Sequence, residues 1–167
     1  MNELIQQLER AVGANSVRTD KESLAVYGVD WTKGNAGSPT VVVFPSSTED
    51  VVAIVKLAQA FKVPIVPSGG RTGLSAAAVA QNGEIVLSME RMDQIIEIDQ
   101  VGKTMTVEAG VITEKVQQVA ADNDLFFAVD LAAKGSSQIG GNIATNAGGL
   151  KFIRYGGTRE QVLGVEA

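Results

Sequence analysis

Two glycine-rich stretches carry the residues of this chain best suited to chemistry. The first is Pro67-Ser68-Gly69-Gly70-Arg71-Thr72-Gly73-Leu74-Ser75. The second is Gly135-Ser136-Ser137-Gln138-Ile139-Gly140-Gly141-Asn142-Ile143-Ala144-Thr145-Asn146-Ala147-Gly148-Gly149. Both follow apolar, strand-like runs and mix glycine with hydroxyl and amide side chains. Glycine has no Cβ, so it takes positive φ readily and lets main-chain N–H groups converge on an anion. Hydrogen bonds to a charged phosphate contribute roughly 1.5–3 kcal/mol each, so several N–H and O–H donors hold a diphosphate without many cations. Two such loops predict a diphosphate ligand gripped from two sides.

Cations near these loops have two readings. Arg71 either neutralises part of a bound diphosphate or is a solvated loop arginine. Lys134 and Arg154, which flank the second stretch, carry the same pair of readings. Asp130 is a turn or cap residue, or it accepts a hydrogen bond from a ligand. The lone Trp31 packs or covers a ring system. The glycines do not follow the G-x-G-x-x-G dinucleotide pattern, and Ala76-Ala77-Ala78-Val79-Ala80 runs into Asn82-Gly83 with no clear helix, which disfavours an ordinary Rossmann site. Gly102-Lys103-Thr104 imitates the tail of a P-loop, but Glu97 stands where its first glycine belongs and strands follow it. Nucleoside triphosphate hydrolysis is excluded on that ground.

Composition narrows the field further. The chain has 167 residues and a net charge of −5, from 14 basic and 19 acidic side chains, so a basic stripe for nucleic acid is not expected. It has no cysteine and no histidine. Cys/His zinc sites and Ser-His or Cys-His nucleophile pairs are therefore ruled out within it, and no catalytic or metal-ligating residue is assigned. No disulfide is possible and the first residues lack a signal-peptide pattern, which points to the cytoplasm. No apolar run approaches the ~18 residues of a membrane span. Val162-Leu163-Gly164-Val165-Glu166-Ala167 reads as the opening of a strand, so a fragment of a longer protein is expected.

The elements that must position the loops are legible from periodicity. Leu4, Ile5, Leu8 and Val12 predict an amphipathic helix over 2–12. Residues 13–38 read as irregular. Thr40–Phe44 is a buried strand, Ser47 to Asp50 resembles a capping box, and a helix over 49–61 leads to a strand at 64–67. This is a βαβ unit with a right-handed crossover. Strands follow at 84–89, 95–99 and 104–108, the last two joined as a hairpin. A helix at 113–122 and a strand near 125–128 precede the second stretch. The predicted fold is α+β, a small βαβ lobe (about 1–75) beside a mainly antiparallel lobe (about 76–167).

The first stretch, Val107-Glu108-Ala109-Gly110-Val111 and Ile139 to Gly149 together resemble the FAD-binding domain of the vanillyl-alcohol oxidase / p-cresol methylhydroxylase family. The resemblance extends from about residue 20 to the end. Asp130-Leu131-Ala132-Ala133-Lys134-Gly135-Ser136-Ser137 and Gly149-Leu150-Lys151-Phe152-Ile153-Arg154-Tyr155-Gly156 are similar to its D-2-hydroxyglutarate dehydrogenase branch, beside the D-lactate dehydrogenase and glycolate oxidase branches. The resemblance implies an FAD-linked oxidoreductase that oxidises a D-2-hydroxy acid by hydride transfer to flavin, with an external electron acceptor and a separate substrate domain outside this chain. It implies cofactor contacts from Pro67, Ser68, Gly69, Gly70, Arg71, Thr72, Gly73, Leu74 and Ser75, and from Asp130, Ser136, Ser137, Gly140, Gly141, Asn142, Thr145 and Asn146. Covalent members often carry His in the first loop; none is present here, which implies non-covalent FAD. Ala76-Ala77 departs from the Gly pair of many relatives. Alternatives are a nucleotide-sugar reductase of the same fold and a non-catalytic phosphate-binding module.

Overall fold

A computed structural model describes residues 2–32 and 34–166. The chain divides into two compact units, Met1–Met92 and Asp93–Ala167, each taken here by itself.

The first unit is built on a four-stranded sheet. Its strands are β1 (Val17–Arg18), β2 (Val41–Val43), β3 (Ile65–Ser68) and β4 (Ile85–Ser88), in the order β1-β2-β4-β3. β2 and β3 both run parallel to β4, while β1 pairs antiparallel with β2. The sequence predicts β2, helix and β3 as a βαβ unit; β4 lies between the two strands, with Val86 opposite Val42 on one side and Val66 on the other. β4 is an inner strand, with Ile85, Val86 and Leu87 all buried, as in a strand covered on both faces. For the same reason residues 76–92, expected in the second lobe, belong to the first unit.

Alternation along the strands sorts the core into two layers. Val41, Val43, Ile85 and Leu87 face one cluster, completed by Leu4 and Leu8 of α1 (Asn2–Val12) and Ile54 and Ala58 of α3 (Thr48–Phe61). Val42 and Val86 join Phe44 and Ala80 in the other, against Leu24, Tyr27 and Val66. α3 starts where expected: the Ser47 hydroxyl accepts from Asp50 N–H at 3.2 Å, and the Asp50 carboxylate accepts from Ser46 N–H at 2.9 Å. The return bond thus reaches Ser46 and not the capping Ser47. Residues 13–38 are more regular than their composition suggests. They hold β1 and a helix, α2 (Lys21–Tyr27), whose capping Asp20 accepts from Ser23 N–H at 2.8 Å. Seven residues with no fully buried position leave no periodicity to read.

The second unit opens on the predicted hairpin, β5 (Ile95–Asp99) and β6 (Thr104–Val107), paired antiparallel. Asp99 closes its turn by accepting from Val101 and Gly102 N–H, both at 2.9 Å. α4 (Thr113–Asp122) follows, then α5 (Ile139–Ala144) and the single turn α6 (Phe152–Tyr155). Val111, Val116 and Ile139 form the core with Ile95, Met105, Val107, Phe127 and Ile143 around them. The strand expected near 125–128 is absent; that segment is anchored instead by Gln117, whose amide donates to the Val129 carbonyl at 2.8 Å.

Ile54 has no exposed surface and sits where α1, α3 and the sheet meet. Ile54→Ala is expected to lower unfolding free energy by about 2–5 kcal/mol, read from the midpoint of a urea melt.

Candidate functional site

In the first unit, β3 ends at Ser68, beside Ser88 at the end of β4. The first glycine stretch thus leaves the sheet at the carboxyl ends of parallel strands, where open α/β sheets place ligands. Among the described residues of this unit, none of the main-chain N–H groups from Gly69 to Ser75 has a hydrogen-bond acceptor. Ser68 is fully buried, and its hydroxyl has no partner either. Pro67, Gly73, Leu74 and Ser75 are exposed; Gly69, Gly70, Arg71 and Thr72 are half-buried.

The left-handed positions of this loop are not the glycine at 73 but two residues with side chains. Arg71 and Ala76 both take the left-handed conformation, at φ 55° and 59°. The segment before β2 braces them. Trp31 N–H donates to the Gly73 carbonyl at 3.1 Å, and the Thr32 hydroxyl accepts from Ala76 N–H at 2.9 Å. One Asp30 oxygen accepts from Thr32 N–H at 2.8 Å; the other is buried without a partner. The Arg71 guanidinium lies 4.3 Å from the centre of the Tyr27 ring, within cation–π range. The Tyr27 hydroxyl donates to the Glu90 carboxylate at 2.9 Å. Burial first, then this carboxylate, pushes the phenol above its ordinary pKa, so it remains a donor. The Trp31 side chain is exposed.

In the second unit, the glycine stretch runs against residues 109–113. Ile139 N–H donates to the Val111 carbonyl at 2.9 Å and Gly140 N–H to the Ala109 carbonyl at 2.8 Å. The stretch is not one loop, because α5 occupies its middle. Thr113 is the pivot: its hydroxyl lies 2.8 Å from that of Ser137 and accepts from the Asn142 amide. Ser137 and Asn142, expected as ligand donors, are buried and hold this joint. The Thr145 hydroxyl donates to the Gly141 carbonyl at 2.9 Å, and the Asn146 carbonyl oxygen accepts from Arg159 N–H at 2.9 Å. Ser136 is exposed.

The glycines of this stretch divide sharply. A Cβ on Gly140 would meet the Ala109 Cβ at 2.8 Å, and one on Gly148 or Gly149 would strike the Phe152 ring or the Asp130 carbonyl. Those are packing glycines. Gly141 differs: beyond its chain neighbours and its own helical backbone, no atom lies within 4 Å of where its Cβ would be. A glycine inside a helix costs about 1 kcal/mol relative to alanine, and nothing in this unit requires one here. Asp130 also has a defined place. Its carboxylate pairs with Lys134 at 3.4 Å and Lys151 at 3.2 Å. Sequence reasoning missed Thr113, Thr32 and Tyr27. Only the hydroxyl at the head of α4 offered a signal, and it reads equally as a helix start.

The FAD binding domain family matches residues 39–167. Together with the fold this settles the class, and the chain belongs to that family. A D-2-hydroxyglutarate dehydrogenase from Stutzerimonas stutzeri (strain A1501) is 55% identical over 163 residues, covering 98% of this chain and 35% of that protein. The mitochondrial D-2-hydroxyglutarate dehydrogenase of Danio rerio is 38% identical over 157 residues, 94% of this chain and 30% of that protein. The chain thus spans about a third of the length of these curated relatives. Among solved structures, alkyldihydroxyacetonephosphate synthase matches with a TM-score of 0.86 at 20% identity, over 94% of this chain and 31% of that one. p-Cresol methylhydroxylase with substrate bound matches with 0.75 at 24% identity, over 87% and 29%. These likenesses are of fold, and the fold is the flavin-binding one expected from the sequence. No described helix is long and apolar enough to cross a membrane.

The residues fit a flavin dinucleotide. A polyanion needs donors that the protein leaves unpaired, and among the described residues of the first unit the run from Gly69 to Ser75 has them. Within the second unit, taken separately, the open flank of Gly141 permits close approach to main chain.

Lys151 first, then Lys134, hold the Asp130 carboxyl below the usual aspartate range. A carboxyl depressed by folding adds stability at neutral pH, and that contribution is lost as pH falls below about 4 towards the folded value. Asp130→Asn is therefore expected to flatten the acid limb of the stability–pH curve, followed by urea melts, and to leave its neutral-to-alkaline shape unchanged.

Proposed function

We propose that this chain is the FAD-binding portion of a flavin-dependent dehydrogenase that oxidises a D-2-hydroxy acid of the D-2-hydroxyglutarate kind. The 55% identity to a D-2-hydroxyglutarate dehydrogenase across nearly the whole chain carries the reading. Bound FAD supplies the two-electron acceptor for the hydride leaving the substrate's hydroxyl-bearing carbon.

This chain's own residues bind and orient. The N–H groups from Gly69 to Ser75 donate to diphosphate oxygens, and the Ser68 hydroxyl stands at the entrance to that run. Arg71 offsets part of the negative charge. Within the second unit, Gly141 leaves main chain open to a ligand, and Ser136 is an exposed hydroxyl. Gly140, Ser137, Asn142, Thr145 and Asn146 shape that segment from within. The chain contains no histidine, and the first loop offers Arg71-Thr72-Gly73, so FAD is held non-covalently. The proton-accepting base lies outside residues 1–167, and an external acceptor takes the electrons onward. A cytoplasmic location belongs to the same reading, supported by a cysteine-free chain whose bacterial relative is the more similar.

Two measurements test this. The full-length protein is expected to carry flavin that bleaches with D-2-hydroxyglutarate or D-lactate and not with NADPH. Bleaching by NADPH alone would make the protein a reductase instead. Gly141→Val is expected to keep the fold, because its side chain meets open space, yet to lose FAD on gel filtration. Stoichiometric flavin retained by that variant removes Gly141 from the site.

A further inference from the structure

The first glycine loop holds two non-glycine residues, Arg71 and Ala76, in the left-handed region. Alanine gains nothing from that conformation, so something outside the loop must impose it. Arg71 rests on the Tyr27 ring and the Gly69 carbonyl, and Val79 N–H donates to the Ala76 carbonyl. The contacts from outside the loop to Gly73 and to Ala76 N–H come from one short segment. Thr32 takes the Ala76 N–H on its hydroxyl at 2.9 Å, and Trp31 N–H holds the Gly73 carbonyl at 3.1 Å. Asp30 fixes Thr32 in turn through the 2.8 Å bond to its N–H, and its second oxygen lies 3.5 Å from where a Gly73 Cβ would be. The loop is tied at its middle and at its far end, while the N–H groups between have no acceptor among the described residues.

We propose that Asp30-Trp31-Thr32 is a clamp that pre-forms the first glycine loop for its anionic ligand, with Thr32 as the chief positioning residue. The proposal rests on the FAD reading above for the identity of the ligand, not for the clamp itself. Thr32 acts through Ala76: its hydroxyl keeps Ala76 left-handed, and Ala76 sets the direction in which the preceding N–H groups point. A loop released from the clamp populates its binding-competent form less often, and apparent affinity falls by that fraction.

Three variants of the full-length protein separate this role from simple stabilisation. Thr32→Val removes the acceptor at nearly constant volume and is expected to weaken FAD binding about tenfold by flavin fluorescence titration. Thr32→Ser keeps the hydroxyl and is expected to bind within about twofold of the parent. Ala76→Gly combined with Thr32→Val is expected to recover most of the lost affinity, because glycine accepts positive φ without the clamp. In the flavin-free protein, amide exchange at residue 76 is expected to accelerate about tenfold in Thr32→Val and to stay fast in the double variant, where the bond is still missing. Unchanged FAD affinity in Thr32→Val, or an equal loss in the double variant, overturns the proposal. If the parent protein binds no FAD, the functional reading fails separately; exchange at Ala76 then decides the clamp, and an unaltered rate in Thr32→Val overturns it.

Discussion

A main-chain N–H is an obligatory donor, and nearly every buried one in a folded protein is paired. In the first unit, the half-buried to exposed run from Gly69 to Ser75 has no acceptor for its N–H groups among the described residues. Everything around that run compensates. β3 and β4 hold its base through a ladder in register as far as Ser68 and Ser88. The apolar layers on both faces of the sheet keep that base rigid. The segment before β2 ties the far end. Unpaired donors are useful only if they hold still, since a loop free to turn would direct its N–H groups to water.

In the second unit the same need is met differently. Gly140 lies so close to Ala109 that any side chain would collide, while its neighbour Gly141 faces open space. Two identical residues in succession therefore have opposite surroundings, one packed against Ala109 and the other open. The Thr113–Ser137–Asn142 hydroxyl and amide cluster holds the pair at a fixed angle. Buried polar groups demand partners, and this set finds them in one another.

Much of this was legible in the sequence, for identifiable reasons. α1, α3 and α4 have apolar spacing that only a helix satisfies, and β5–β6 alternates around a four-residue turn. The glycine stretches were visible because several glycines close together rarely serve packing alone. What stayed hidden is whatever depends on contacts distant in sequence. β2 and β4 are both fully buried, so burial alone does not place β4 between β2 and β3, and three apolar strands of similar composition do not rank themselves. α2 was too short for periodicity, and the extended run at 125–128 lacked a partner strand. Ser137 and Asn142 read as donors for a ligand because a side chain's own partner, here Thr113, is invisible until the fold brings it near.

The loop cations differ in their counter-charges, and Arg154, over the Tyr155 ring, has no ion pair among the described residues. Lys134 and Lys151 both lean on Asp130, so their charge is already answered. Arg71 is arranged otherwise. The nearby carboxylate, Glu90, is engaged by the Tyr27 hydroxyl, and Arg71 lies over the Tyr27 ring in no ion pair among the described residues. An aromatic face steers a guanidinium without neutralising it. A carboxylate in its place would orient Arg71 as well but cancel the field that an anionic ligand meets. In a chain of net charge −5, local positive potential has to be protected from the protein's own acids. With Arg71 over the Tyr27 ring and Glu90 engaged by the Tyr27 hydroxyl, the guanidinium keeps a charge that no carboxylate among the described residues pairs with.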